Sequence, residues 1–212
     1  MAWRAGRRVV VAGLVGTVWA VATRIARATI RRPLRPPGAA PEVAFTGLCV
    51  RCGNCIRVCP SKIIRPESGD YGIAGLLTPV LSFEQDYCRE DCIRCAEACP
   101  SGAIARLPLE EKRLARIGVA RVDMNLCLLG QDRECAVCGN QCPYGAIRME
   151  FSETEYTTTP KIDLQKCPGC GACEAACPVG PVKAIVVQRE SRLWSGVHLS
   201  SGTGNSMPPN NK

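Results

Sequence analysis

The sequence predicts an α+β fold in which one short structural unit occurs four times. All sixteen cysteines of the 212-residue chain stand in four groups of four, and a proline follows the last cysteine of every group. The first cysteines of the groups, Cys49, Cys88, Cys127 and Cys167, recur every 39 or 40 residues. Short apolar and β-branched runs, bounded by Gly and Pro, flank the groups and are typical of strands. Each unit is therefore expected to contain a strand, a cysteine loop, a short helix and a second strand.

The cysteines have the spacing of iron–sulfur ligands. The first and fourth groups read C-x2-C-x2-C-x3-C-P, which is the motif of bacterial ferredoxins. The second and third groups have three and seven residues after their first cysteine and then keep C-x2-C-x3-C-P. Because each iron of a [4Fe–4S] cube takes one thiolate, four groups predict four [4Fe–4S] clusters. The predicted ligands are Cys49, Cys52, Cys55, Cys59, Cys88, Cys92, Cys95, Cys99, Cys127, Cys135, Cys138, Cys142, Cys167, Cys170, Cys173 and Cys177.

Two other uses of clustered cysteines agree less well with this pattern. A disulfide framework does not need the repeated Cys-Pro ending. A zinc site uses C-x2-C pairs that are set farther apart, without a third cysteine at the next x2 step. The spacing therefore favours iron–sulfur binding over both.

The local sequence also predicts how each loop is built. The fourth cysteine of a group is expected to open a short helix, with the proline at its first position, where a missing N–H is harmless. Gly53 and Gly171 follow the second cysteine of their groups and should give the backbone freedom close to sulfur. In two-cluster ferredoxins the fourth cysteine ligates the cluster of the neighbouring motif.

The segments around the groups predict how the units pair. An apolar residue and an acid precede three of the groups, at 82–84, 121–123 and 161–163. Short apolar runs follow three of the groups, at 102–105, 145–148 and 182–187. Two units joined by antiparallel strands form the two-cluster ferredoxin fold, so four units predict two such modules, arranged in tandem or nested. Aromatic residues are only 5% of the chain, so the clusters should replace much of a conventional core.

The formal charge of +8 is concentrated at the N-terminus. Residues 1–38 hold eight of the 27 basic residues and none of the 19 acidic ones, so the remainder carries 19 of each. Each oxidised [4Fe–4S] core with four thiolates adds about −2, so four sites would make the body acidic by roughly −8. No nucleic-acid partner is therefore expected.

The chain is expected to have four segments. Residues 1–32 combine Arg7 and Arg8 with an uncharged, largely apolar run over 9–23, which indicates a twin-arginine-like export signal or a membrane anchor. The run is shorter than the about 20 residues of a spanning helix, but the arginines after it resemble a positive-inside flank. Residues 33–41 are interpreted as a Pro-rich linker, 42–190 as the four-motif domain, and 191–212 as a disordered tail.

These features together resemble the MauM/NapG family of ferredoxin-type proteins. The resemblance rests on the twin-arginine start, the linker sequence Arg35-Pro36-Pro37-Gly38-Ala39, and the four ordered groups with a stretched third group, Cys127-x7-Cys135. It covers residues 35–187. The second group departs from the family, which tends to have x2 and then x4 where this chain has x3 and then x2.

The resemblance implies an electron carrier on the periplasmic side of the cytoplasmic membrane. Its implied partners are a membrane-bound polyferredoxin or quinol dehydrogenase on one side and a redox enzyme or cytochrome on the other. A cytoplasmic, membrane-associated location is the alternative. An electron-transfer subunit or a maturation factor of a multi-subunit oxidoreductase is the alternative function. No Ser/His/Asp or Cys/His constellation and no Rossmann fingerprint is present, so neither catalysis nor a small-molecule substrate is expected.

Two pairings of the groups are compatible with the ligand exchange of ferredoxins. Regular groups one and four could pair, and irregular groups two and three could pair; this nested order resembles the iron–sulfur subunits of molybdenum oxidoreductases and is the preferred prediction. It would join Cys177 to group one, Cys59 to group four, Cys142 to group two and Cys99 to group three. Sequential pairing, one with two and three with four, stays open as the alternative.

Overall fold

A computed structural model describes residues 32–153 and 156–189. Short helices and strands alternate along the chain, and each cysteine group lies in a loop and one turn of helix. The helices are α1 (Glu42–Leu48), α2 (Asn54–Val58), α3 (Arg94–Glu97), α4 (Leu109–Leu114), α5 (Val137–Asn140) and α6 (Ala172–Ala176). The strands are β1 (Ile64–Pro66), β2 (Pro79–Leu81), β3 (Val119–Val122), β4 (Ile147–Ser152), β5 (Thr157–Ile162) and β6 (Ile185–Gln188). Two 3-10 turns occur at Ile73–Gly75 and Leu128–Gln131.

The first two groups share one module. Strands β1 and β2 pair antiparallel between the two groups, with Ile64 opposite Leu81. The segments outside the groups meet at an isolated antiparallel bridge between Ala39 and Ile104. This outer pair is short because Pro36 and Pro37 precede it and have no N–H to donate to a ladder.

The last two groups share a second module with the same topology and longer strands. Strand β4, after group three, pairs antiparallel over six residues with β5, before group four. The outer strands β3 and β6 pair over four residues, with Val119 opposite Gln188 and Val122 opposite Ile185. Each module therefore consists of an inner hairpin and an outer strand pair that enclose two consecutive groups.

The α+β class and the division into two modules agree with the sequence-based prediction, and the strand pairing is the tandem one. No strand of the described residues joins group one to group four as a nested fold would require. The predicted strand positions also hold within a few residues, since β2, β3 and β5 precede groups two, three and four.

The predicted position of the short helices is wrong. The helix lies before the fourth cysteine and contains the third: α2 ends at Val58, and α6 ends at Ala176. Cys59 and Cys177 follow with extended backbones (ψ 114° and 124°) because the residue before a proline is biased away from the helical region. The Cys-Pro ending therefore terminates the helix.

The core contains the cysteines themselves. Six are buried together with Phe45, Phe83 and small aliphatic side chains in one continuous cluster, which agrees with the low aromatic content. Phe83 connects the modules, because its ring lies against Gly171 of group four. A second connection is the Ile117 N–H, which donates to the Pro168 carbonyl at 2.8 Å.

The Pro-rich segment 33–41 packs against the first module. Arg35 is 4% exposed and lies 4.6 Å above the ring of Phe45. Its guanidinium donates to Thr78 Oγ1 at 2.8 Å, to the Pro79 carbonyl at 2.7 Å and to both carboxylate oxygens of Glu42. We call these five residues the Arg35 network. It attaches the segment to the inner hairpin at β2.

Of the proposed export signal, residues 1–32, only Arg32 is described. The proposed tail, residues 191–212, lies wholly outside the described residues, which end at Arg189. Among the residues that are described, no helix is long and apolar enough to span a membrane. The four-segment division stays a prediction.

Candidate metal centres

Cysteines from groups one and two line a common cavity in the first module. Its thiols are those of Cys49, Cys52 and Cys55 with Cys99, the last cysteine of group two. We call this set site 1. Cys52 is exposed, whereas Cys55 is buried on α2.

A second cavity of the same module is lined by the remaining four cysteines of these groups. They are Cys88, Cys92 and Cys95 with Cys59, the last cysteine of group one. We call this set site 2. The fourth cysteines are therefore exchanged between the two sites, as the ferredoxin motif predicts.

The second module repeats the arrangement. A cavity is lined by Cys167, Cys170 and Cys173 with Cys142, the last cysteine of group three; we call this set site 4. Cys127, Cys135 and Cys138 lie close enough that the charges of the first two raise the pKa of the third. Cys177 is the cysteine left over, and with it these three form site 3 by analogy with the other exchanges. The cavities thus bring twelve of the predicted residues into three sets of four, and the place of Cys177 in site 3 rests on the analogy.

The preferred nested pairing is wrong. It placed Cys99 with group three and Cys59 with group four, whereas the cavities place them with groups one and two. The residues inserted after Cys127 form the 3-10 turn Leu128–Gln131, and those after Cys88 lie in a loop. Pairing depends instead on the hairpins β1–β2 and β4–β5, which hold consecutive groups side by side.

The electrostatics of the thiols suit a strongly positive group at the centre of each site. Burial raises the pKa of Cys55 to about 11, and the neighbouring charges of Cys49, Cys52 and Cys99 add to the rise. Burial and the neighbouring cysteines raise the pKa of Cys95 to about 12. Four thiolates would repel one another here, so a bound metal group would have to neutralise them, and its binding would release their protons.

Backbone N–H groups point at the sulfur atoms. Ala146 donates its N–H to Cys142 Sγ at 3.3 Å. At Cys99, burial raises the pKa, but the hydroxyl of Ser101 and the N–H groups of Ile104, Ser101 and Gly102 outweigh it, so the pKa is lowered. Hydrogen bonds of this kind stabilise the thiolate form and tune the redox potential of a cluster.

The donor set fits a cluster better than a single ion. Within residues 32–153 and 156–189, no three His, Cys, Asp or Glu side chains are placed so that they could hold one metal ion. The four thiols of a site instead line the wall of a cavity, as the corners of a cube require. The residues present therefore fit a [4Fe–4S] cluster.

Two basic residues near the sites were not found by sequence reasoning. Arg51, in the loop of site 1, donates to the carbonyls of Leu76 at 2.9 Å and Ala74 at 3.0 Å, and it has a positive φ of 55°. Lys112 on α4 is 4% exposed and lies beside Cys88. No pattern marks either one, because Arg and Lys occur at many exposed positions of this chain.

A comparison with protein-family models agrees with the modules. A 4Fe-4S dicluster domain matches residues 48–103 and, separately, residues 133–181. The first match spans groups one and two. The second begins inside group three and spans group four, so each match corresponds to one structural module.

Curated relatives extend the match over most of the chain. The methylamine utilization ferredoxin-type protein MauM of Methylophilus methylotrophus is 38% identical over 81% of this chain and 76% of its own length. MauM of Methylobacillus flagellatus is 37% identical over 93% of this chain and 86% of its own. The ferredoxin-type protein NapG of Escherichia coli is 38% identical over 77% and 73%.

The matches therefore have the length and identity that establish a family, and they agree with the thiol-lined cavities of the structure. The chain belongs to the MauM/NapG family of ferredoxin-type iron–sulfur proteins, whose work is electron transfer.

Proposed function

We propose that this protein is a non-catalytic carrier that relays electrons through four [4Fe–4S] clusters, one at each site. The observation that carries the proposal is the set of three cavities that are each lined by four thiols from two consecutive groups. A bound cluster supplies one-electron chemistry. The polypeptide brings the sites together, since Cys55 of site 1 and Cys59 of site 2 belong to one short helical segment.

The chain's own residues control the relay in two ways. Burial of Cys167, Cys170 and Cys173 at 7–8% exposure excludes water from site 4. The N–H donors at Cys99 and Cys142 stabilise negative charge on sulfur. Burial and hydrogen bonding are the levers by which a protein sets cluster potentials, so sites with different surroundings should have different potentials.

The partners and location that we propose follow the family resemblance. The carrier would take electrons from a membrane-bound polyferredoxin or quinol dehydrogenase and deliver them to a periplasmic redox enzyme or cytochrome. Arg7 and Arg8 support export by the twin-arginine route. Replacing both by lysine should retain the protein in the cytoplasm, as fractionation and immunoblotting would show. Unchanged export of the variant would favour another export route, and wild-type protein found at the cytoplasmic side of the membrane would favour the cytoplasmic, membrane-associated alternative.

A second candidate is a permanent electron-transfer subunit of a larger oxidoreductase. Exposed apolar side chains around site 1 favour it, since Val50 is 62% exposed and Leu77 is 56% exposed, and both line that cavity. A subunit should copurify at fixed stoichiometry with a cofactor-bearing chain after gentle anaerobic extraction. A carrier should be recovered alone, because it binds its partner only for the time of electron transfer.

The four-cluster proposal is tested by iron and acid-labile sulfide in anaerobically purified protein. About sixteen irons and sixteen sulfides per chain are expected, since each cube contains four of each. About eight irons, or zinc in place of iron, would contradict it.

Paired cysteine substitutions test the sequential exchange independently. In Cys52→Ala combined with Cys99→Ala, both losses fall on site 1, so the double variant should retain about twelve irons, as each single variant does. The matched control combines Cys52→Ala with Cys177→Ala. It should retain about eight irons, because two sites are affected. The reverse outcome would restore the nested pairing.

A further inference from the structure

Lys112 is a buried cation near the cysteines of site 2. It lies on α4, the helix between the two modules, and is 4% exposed. Its ammonium donates to the carbonyl of Arg89, next to Cys88. No carboxylate in the described residues forms an ion pair with it among the salt bridges that the structure records. Burying an ammonium is costly unless negative charge lies nearby.

The negative partner of Lys112 is site 2. Burial raises the pKa of Cys88 to about 11, and the positive charge of Lys112 and a hydrogen bond from its side chain act in the opposite direction. The ammonium therefore lies beside a cluster ligand, because the carbonyl to which it donates belongs to the residue after Cys88. A reduced [4Fe–4S] site with four thiolates carries about −3, one unit more than the oxidised site.

Cys88 is also one of the points at which the two modules meet. Its N–H donates to the carbonyl of Cys170, a site 4 residue, at 2.9 Å. Tyr144 lines the cavity of site 4 and lies within electrostatic reach of both Cys170 and Cys88. Sites 2 and 4 therefore adjoin through the backbones of their own ligands.

The contacts within each module complete the sequence of sites. Cys55 of site 1 lies on α2 and Cys59 of site 2 directly follows that helix. Cys138 of site 3 lies on α5, and Cys142 of site 4 follows two residues after its end. The number of buried cysteines separates the middle of this sequence from its ends. Sites 2 and 4 contain two and three buried cysteines, whereas sites 1 and 3 contain one each, and Cys52 of site 1 is exposed.

We propose that electrons cross between the modules at the Cys88–Cys170 contact, so that the relay runs through sites 1, 2, 4 and 3, and that Lys112 is the positioning residue whose charge raises the reduction potential of site 2 at this crossing. The proposal rests on the proposed four-cluster relay. The relay order differs from the order of the groups in the sequence. Its two ends are the sites with the fewest buried cysteines, where redox partners can approach.

The role of Lys112 is physically direct. A cation in a low-dielectric setting stabilises the more negative, reduced state of an adjacent cluster, and the effect falls with distance. Site 2 should therefore accept an electron more readily than it would without Lys112. Site 4, reached through Cys170, should be affected less, and sites 1 and 3 least.

Anaerobic potentiometric titration followed by EPR tests the charge. Lys112→Gln keeps an amide donor for the Arg89 carbonyl and removes the charge, whereas Lys112→Arg keeps the charge. We expect Lys112→Gln to shift the reduction potential of site 2 to a more negative value, with sixteen irons retained. Lys112→Arg should keep the potential of site 2 close to that of the parent protein. The signal of site 2 is identified by its loss in Cys92→Ala. Lys166→Gln is the matched control, because Lys166 also adjoins a ligand, Cys167, but is half exposed and paired with Asp163; it should shift no potential.

The route between modules is tested in the Cys52→Ala background, which lacks the site 1 cluster. The magnetic coupling between the reduced clusters of sites 2 and 4 should then vanish on adding Cys173→Ala, which removes the cluster of site 4. It should persist on adding Cys135→Ala, which removes the cluster of site 3. Equal coupling in both, or its loss with Cys135→Ala alone, would overturn the order. No shift with Lys112→Gln, or equal shifts with Gln and Arg, would overturn the role of the charge. Iron content in the parent protein judges the four-cluster function separately.

Discussion

The two modules use the same cysteine motif and the same topology but are held together by different forces. The second module closes with backbone ladders, six residue pairs between β4 and β5 and four between β3 and β6. The first has three pairs between β1 and β2 and a single outer bridge at Ala39. Side chains replace the missing ladder there, since the Arg35 network attaches the outer segment to the hairpin. Two modules with the same cluster motif and the same topology are therefore stabilised in different ways.

The sites differ in a similar way. In the second module Phe83, from the first, covers Gly171 and closes the loop of site 4. At the equivalent glycine of site 1, Gly53, a Cβ would have no atom within 4 Å. One end of the relay is therefore open to solvent, and site 4 is enclosed between the modules.

The largest expected effect is on the Arg35 network. Arg35→Met should lower the free energy of unfolding by about 3–5 kcal/mol, because it leaves the Pro79 carbonyl and Glu42 without their buried partner. Anaerobic denaturant unfolding would measure this, and iron should be lost from sites 1 and 2 first. The control is Arg65→Met, which breaks an exposed pair with Glu84 and should cost under about 1 kcal/mol. Equal losses from both modules would show that they do not have separate supports.

A glycine pair isolates the effect of tertiary contact at one motif position. Gly171 and Gly53 both have a positive φ, +88° and +72°, so alanine is strained at either one. A Cβ at Gly171 would also lie 2.2 Å from the ring of Phe83. Gly171→Ala should therefore cost about 2–4 kcal/mol, against about 1 kcal/mol for Gly53→Ala. Thermal unfolding of the two variants under the same conditions checks the difference, and equal costs would mean that Phe83 moves aside freely.

The smallest effect expected is kinetic. Site 1 should lose iron to a chelator or to oxygen before site 4, because Cys52 is exposed and three cysteines of site 4 are buried. Arg51→Ala should speed the loss at site 1 only, since it removes the bonds from this loop to the carbonyls of Ala74 and Leu76. Time-resolved EPR would follow each site. Lys62→Ala, also exposed and close to a cysteine, is the control and should leave the rate unchanged.

The cysteine pattern was sufficient to predict much of the site. It placed sixteen candidate ligands, and the strands before groups two, three and four follow from short apolar runs next to acids. It failed at the helices, because the proline after Cys59 or Cys177 is compatible in principle with either end of a helix. The residue before each proline has an extended backbone, so the helix ends before the Cys-Pro pair and does not begin at it.

The cluster chemistry and the two-module α+β fold follow from the amino-acid sequence, because thiolate number and spacing are local properties of the chain. The tertiary structure set which cysteines meet, since that depends on which strands form hydrogen bonds: β1 with β2 and β4 with β5. It also decided that Arg35 and Lys112 are buried and that Cys88 contacts Cys170. Those contacts join residues far apart in the chain, and burial of a charge depends on partners that no local pattern specifies.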